Sequence, residues 1–158
     1  MSDTRLRDQL IRMLDWEDAH VGFAKAVEGI PAGKRGAQPV GLDHSAWQLL
    51  EHMRIAQEDI LDFCRDASYV HSRRWPDDYW PADPAPPDTG AWDRSIAAFT
   101  RDRDALKTLA RETPDLYASV PTGNEQQTYL RALLLVMDHN AYHLGQILAV
   151  RRALGEWA

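Results

Sequence analysis

Two histidines, His139 and His143, stand four residues apart in "DHNAYHLGQI". In an α-helix that spacing brings both imidazoles out of one face, a turn apart. Neutral imidazole is a common ligand for divalent metals, so the pair could form part of a metal site. The spacing is that of the zinc-protease helix, His-Glu-x-x-His, whose Glu is the general base. Here Asn140 holds the Glu position. A neutral amide cannot take a proton from water, which excludes protease chemistry of that kind. An i,i+4 pair by itself also suits two hydrogen-bonded core histidines. The surrounding run, "LRALLLVMDHNAYHLGQILAV", is apolar, and burying unpaired imidazoles is costly.

A catalytic metal site needs about three protein ligands and an open position. Candidates for the third are His20, His44, His52 and His71. His52, in "WQLLEHMRIAQ", is the best placed: mid-helix, with Gln48 one turn before and Asp59 two turns after. His44 begins that helix, where an imidazole is usually exposed or part of a cap. His71, in "VHSRRW", reads as loop. His20 follows Trp16 by one turn and could point inward, although a hydrogen-bonded core histidine is the simpler account. Gln48 and Gln146 lie one turn from His52 and His143 and could orient a ligand or hold a water behind one. Imidazoles accept zinc, nickel, iron(II) or copper, so the spacing names no metal.

Three neutral imidazoles leave a divalent ion its full charge, able to acidify water or stabilise a thiolate. Hydrolysis would need a base, and the carboxylates nearest His52 in sequence are Glu51 and Asp59. Glu51 lies about 100° around the helix and Asp59 is two turns away. The absence of a clear base favours thiol chemistry. Cys64 reads as a small buried hydrophobe, since nothing basic stands at helical spacing to activate it.

Four helical stretches must position these residues. The first runs from about Thr4 to Glu28, ended by "GIPAGKRGAQP". The second follows Asp43 or Ser45 as cap, with Ala46, Leu49, Met53, Ala56, Ile60 and Cys64 as its stripe. The third is "GAWDRSIAAFTRDRDALKTLARE", and the fourth spans about Gln127 to Leu154, with Gly155 as terminator. Strand signals are nearly absent. The 69–93 connection, with five prolines and three tryptophans, is too proline-rich for helix and too aromatic for a disordered linker. An ordered strap is expected there, serving as a lid or partner surface. The simplest architecture is all-α, a four-helix bundle with this long connection between the second and third helices. In the fourth helix, one stripe (Leu130, Leu133, Leu134, Met137, Ala141, Leu144, Leu148) and a second (Ala132, Val136, His139, His143, Ile147, Val150) suggest two opposed apolar faces. That pattern predicts burial on both sides, by a very central position or at a subunit interface, and of the two a homodimer through this helix is expected.

The bulk numbers set the frame. The 158 residues suit a single domain over 1–158, with 44% hydrophobic and 27% charged residues near globular averages. A net charge of −6 without a basic stripe argues against nucleic-acid binding. One cysteine allows no internal disulfide, and the N-terminus lacks the apolar core of a signal peptide. No run approaches the roughly 18 apolar residues of a membrane span, so a cytoplasmic chain is expected.

The ordered combination of "HVGFAKAVEGIP", "HSAWQLLEHMRIAQEDIL", the "WP..YWP" strap and "LRALLLVMDHNAYHLGQILAVRRALGEW" resembles the DinB-like family. The likeness covers nearly the whole chain. It implies a four-helix bundle with up-down-down-up connectivity, often a homodimer. It also implies a three-histidine metal centre, which carries over to His52, His139 and His143. The family is related to transferases and isomerases that use mycothiol, bacillithiol or glutathione. The expectation is therefore a metal-dependent enzyme that joins a small-molecule thiol to an electrophile, with a zinc, nickel or iron ion as cofactor. The alternatives are a metal-dependent hydrolase and a non-catalytic, metal-stabilised dimeric binding or stress-response module.

Overall fold

The computed structural model describes residues 2–15 and 18–157. Its helices are α1 (Ser2–Asp15), α2 (Phe23–Val27), α3 (Ala46–Arg65), α4 (Ala91–Glu112) and α5 (Tyr129–Ala153). Among the described residues there is no strand, only an isolated bridge between Ser119 and Thr128. The fold is all-α, and no helix of the described residues is long and apolar enough to cross a membrane.

Local chemistry sets the helix ends. Ser45 Oγ accepts from Gln48 N at 3.1 Å while Gln48 Oε1 accepts from Ser45 N at 3.1 Å, a reciprocal cap that opens α3. Thr128 Oγ1 accepts from Arg131 N to open α5. At the other end Gly155, with φ +72°, turns the chain out, and Glu156 N donates to Arg151 O at 2.8 Å.

The single first helix expected over 4–28 is two helices. α1 ends at Asp15, and α2 begins only at Phe23, after Gly22 in extended conformation; Trp16 lies outside the described residues. The break turns Phe23, Ala26 and Val27 into the core, where Phe23 stacks on Phe99.

α3 packs against both α4 and α5, and α1 leans on α4 and α5. One apolar cluster holds Phe23, Trp47, Leu50, Met53, Phe99 and Ile147; another holds Leu10, Leu61, Leu106, Leu133 and Met137. In sequence order along α3 and α5 a polar layer falls between them. Asn140 Nδ2 donates to Gln57 Oε1 at 2.9 Å, and Gln57 Nε2 donates to the Phe99 carbonyl at 2.8 Å. Asn140 therefore ties α5 to α3 and, through Gln57, to α4.

The two opposed faces expected on α5 are a correction. Buried Ala132, Leu133, Val136, Met137, Asn140, His143, Leu144, Ile147 and Val150 form one face, about 140° wide at 100° per residue. The two stripes adjoin rather than oppose. Leu134, Leu135 and Tyr142 lie outside that face and are exposed.

The connection from Asp66 to Gly90 is an ordered strap with a short 3-10 turn at Asp77–Tyr79. Of its residues only Tyr79 is buried. It approaches the 31–41 loop so closely that a Cβ on Gly36 would lie 2.5 Å from Ala85 Cβ.

The polar layer gives a prediction. Asn140→Leu leaves the Gln57 amide without its buried partner and should cost about 1–3 kcal/mol. Pairing it with Gln57→Leu should recover a large part, as read from urea unfolding midpoints.

Candidate metal centre

His52 leaves the middle of α3, and His139 and His143 leave adjacent turns of α5 at one edge of its buried face. Because α3 and α5 pack together, the three rings meet. Their ligand nitrogens all lie within 4.8 Å of one another. His139 Nε2 is 2.9 Å from His52 Nε2, which is 3.1 Å from His143 Nε2. His52 and His143 are buried and His139 is partly so.

Hydrogen bonds on the far side of two rings fix their tautomers. His52 Nδ1 lies 2.9 Å from the carbonyl of Tyr79, which can only accept, so Nδ1 carries the proton. His143 Nδ1 likewise donates to Gln146 Oε1 at 2.6 Å. Both Nε2 atoms are then lone pairs, and they face each other across 3.1 Å. Facing lone pairs repel unless a cation lies between them. Two nitrogens held ~2.1 Å from one ion at roughly 90–110° would stand about 3.0–3.4 Å apart. The donor set therefore fits a divalent metal, with His52, His139 and His143 as the residues to hold it.

Electrostatics agree with the geometry. Burial lowers His52 from its ordinary value near 6.5 to about 4, and the neighbouring imidazoles add to this. Burial, followed by His143 and His52, lowers His139 to about 3. Burial also lowers His143. All three are neutral near pH 7, the form a metal ligand needs.

Aromatic groups frame the centre. Trp80 lies flat on His52 at 3.8 Å between ring centroids, and His44 stacks on Trp80 at 3.9 Å. Trp75 is exposed, with its ring 6.3 Å from that of His52. A cavity of about 320 Å³ adjoins the centre through His143, Trp80, Tyr142 and Gln146. Leu42, Leu49 and Val150 give it an apolar wall, and Asp43 and His44 also line it.

The remaining candidates go elsewhere. Gln48, considered beside Gln146 as a residue behind a ligand, is committed to the start of α3. Its Oε1 accepts from Ser45 N and Gln38 Nε2, and its Nε2 reaches the Pro81 carbonyl. The reason is its position in the first turn, where backbone N–H groups need partners. His20 Nδ1 meets the Val21 carbonyl, and His71 Nδ1 meets the Tyr69 hydroxyl; neither joins the cluster. Neither carboxylate near His52 is available as a base. Glu51 binds Arg54 and accepts from Ser95 Oγ. Asp59 accepts from Tyr69, Arg73 and Tyr79. Sequence reasoning missed the Tyr79 carbonyl and the Trp80 ring; the repeated Trp-Pro of the strap was the one signal that could have marked the second.

A protein-family model described as the DinB superfamily matches residues 15–147. No curated protein and no solved structure matches the chain.

The lowered histidines set a pH dependence for the metal-free protein. The unfolded chain takes up protons near pH 6.5, whereas folded His52 and His139 resist them until about 4 and 3. Their contribution to stability is thus complete above pH 6.5 and lost as pH falls below it. Urea midpoints should be flat above pH 6.5 and decline between 6.5 and 4, and His139→Leu should flatten that decline.

Proposed function

The chain belongs to the DinB superfamily, and on that premise we propose that it is a metal-dependent transferase that joins a low-molecular-weight thiol to an electrophile. The observation that carries this reading is the three-imidazole centre, one of whose rings, His143, also lines a partly apolar cavity. With it we propose a single domain over 1–158, a four-helix bundle with up-down-down-up connectivity, working in the cytoplasm.

A divalent ion in the centre supplies Lewis acidity, which favours the thiolate form of a thiol. The other parts of the task fall to the chain. Tyr79 and Gln146 keep the Nε2 lone pairs of His52 and His143 turned inward. The wall of Leu42, Leu49 and Val150 suits the hydrocarbon part of an electrophile. The exposed Tyr142 hydroxyl receives Gln146 Nε2 at 3.4 Å and keeps its own proton to offer a polar group of the substrate. In the reaction the thiol's proton passes to solvent, sulfur bonds to the electrophilic carbon, and the leaving group departs with its electron pair. The thiol must come from outside the chain. Cys64 is buried, and burial pushes its thiol up to about 12.

Two observations weigh against hydrolysis. Glu51 and Asp59 are engaged in other hydrogen bonds. A thiol, with pKa near 8.5, needs a base far less than water does.

We further propose that the partner is a second copy docked through α5. Leu134, Leu135 and Tyr142 are exposed on the outer side of that helix, at 51%, 42% and 65%. Arg131 and Asp138 share a shallow groove with the two leucines. In a two-fold antiparallel pairing Arg131 of each copy would meet Asp138 of the other.

The transferase is tested by conjugation of a chromogenic electrophile to glutathione, mycothiol and bacillithiol, with and without zinc, nickel or iron(II). The expected result is a metal-dependent rate with at least one thiol, lowered at least about 100-fold in His52→Ala; no metal-dependent rate with any thiol refutes the reading. For the dimer, sedimentation should give twice the mass of one chain, and Leu135→Asp should give the single mass.

A further inference from the structure

Tyr79 holds α3 at two points. Its carbonyl accepts from His52 Nδ1 at 2.9 Å, and its phenol donates to Asp59 Oδ2 at 2.5 Å. His52 and Asp59 are seven residues apart, two turns and about 10 Å along one face of the helix. The residue bridging them is the one buried residue of the strap. Asp59 also gathers the strap upstream: its Oδ1 accepts from the Tyr69 hydroxyl at 3.0 Å and from Arg73 Nη1 at 2.9 Å. One half-buried carboxylate thus anchors Tyr69, Arg73 and Tyr79 to α3.

We propose that Asp59 and Tyr79 are positioning residues for the metal centre: their hydrogen bond holds the Tyr79 carbonyl where it fixes the His52 tautomer, so that metal affinity depends on a carboxylate that never touches the metal. This rests on the metal reading of His52, His139 and His143. The reasoning follows the proton. His52 can present an Nε2 lone pair only while its hydrogen stays on Nδ1, and that hydrogen has one acceptor, the carbonyl of the strap's one buried residue. Without the phenol's anchor the carbonyl is free to move, and the ring can carry its hydrogen on Nε2 instead. Trp80, stacked on His52, keeps the ring plane in place when the anchor is lost. Loss of the anchor should therefore reach the metal through the tautomer rather than through collapse of packing. Burial and the Asp59 hydrogen bond both raise the phenol's pKa, which keeps Tyr79 a donor at neutral pH. The coupling is reciprocal: whatever the ordered strap adds to metal affinity, bound metal returns to the order of the strap.

The test is zinc affinity, by competition with a chromophoric chelator, for wild type, Tyr79→Phe, Asp59→Asn and the double variant. Each single variant should bind about 10–100-fold more weakly. The double should be no weaker than the worse single, because both act through one hydrogen bond. Nitrogen NMR should find the His52 proton on Nδ1 in the metal-free wild type and divided between the two nitrogens in Tyr79→Phe, a change that loosened packing alone would not give. Wild-type affinity in both single variants overturns this inference and leaves the metal reading intact. Failure of the wild type to bind zinc, nickel or iron(II) overturns both. Should Asp59→Asn not fold, Tyr79→Phe, which lacks a single oxygen atom, decides the matter alone.

Discussion

Two imidazole lone pairs face each other across 3.1 Å in a largely buried site, held so by hydrogen bonds on the far side of each ring. Such an arrangement is unfavourable on its own and sensible around a cation. Much of the surrounding structure serves to impose it. The Tyr79 carbonyl orients one ring, and that carbonyl is carried by a strap pinned to α3 through Asp59. Gln146 orients the second from within α5. The relay from Asn140 through Gln57 to the Phe99 carbonyl fixes how α5 sits against α3 and α4, and so how closely the rings approach.

Asn140 shows how one substitution separates two chemistries on similar spacing. At the corresponding place a zinc protease carries the glutamate that activates water. Here the side chain turns into the helix interface and is 5% exposed. A carboxylate there would face the Gln57 carbonyl oxygen and would be costly to bury. The helix that supplies two histidines thus has no base at the place between them, its Asp138 lying on the outer side, and the two carboxylates near the third histidine serve as structural acceptors.

The histidine cluster was legible because helical spacing is. A four-residue interval puts His139 and His143 on one edge, and the apolar stripe beside His52 points it to the same interior. The Ser45 cap of α3, offered beside Asp43, and the Gly155 terminator were equally readable, since each depends on a short stretch of chain; the Thr128 cap of α5 was not read. Features that depend on distant chain were not. Nothing in the sequence pairs the Tyr79 carbonyl with His52, because a backbone acceptor carries no residue signature. Gln48 has the right spacing for a role near His52, but the orphan N–H groups at a helix start claim it first. On α5 two stripes that look opposed on a list of residues prove adjacent when placed at 100° intervals, leaving Leu134 and Leu135 outside. The break between α1 and α2 was hidden because both segments bury residues at helical spacing.

The central claim is that His52, His139 and His143 hold one divalent metal through their Nε2 atoms. It is met most directly by diffraction from crystals of the metal-loaded protein, recorded on both sides of the metal's absorption edge. The account predicts one anomalous peak per chain, within about 2.0–2.2 Å of all three Nε2 atoms, with Tyr79 and Gln146 still on the Nδ1 side of His52 and His143. A peak elsewhere, or one bound through Nδ1 with the Tyr79 carbonyl turned away, would contradict it.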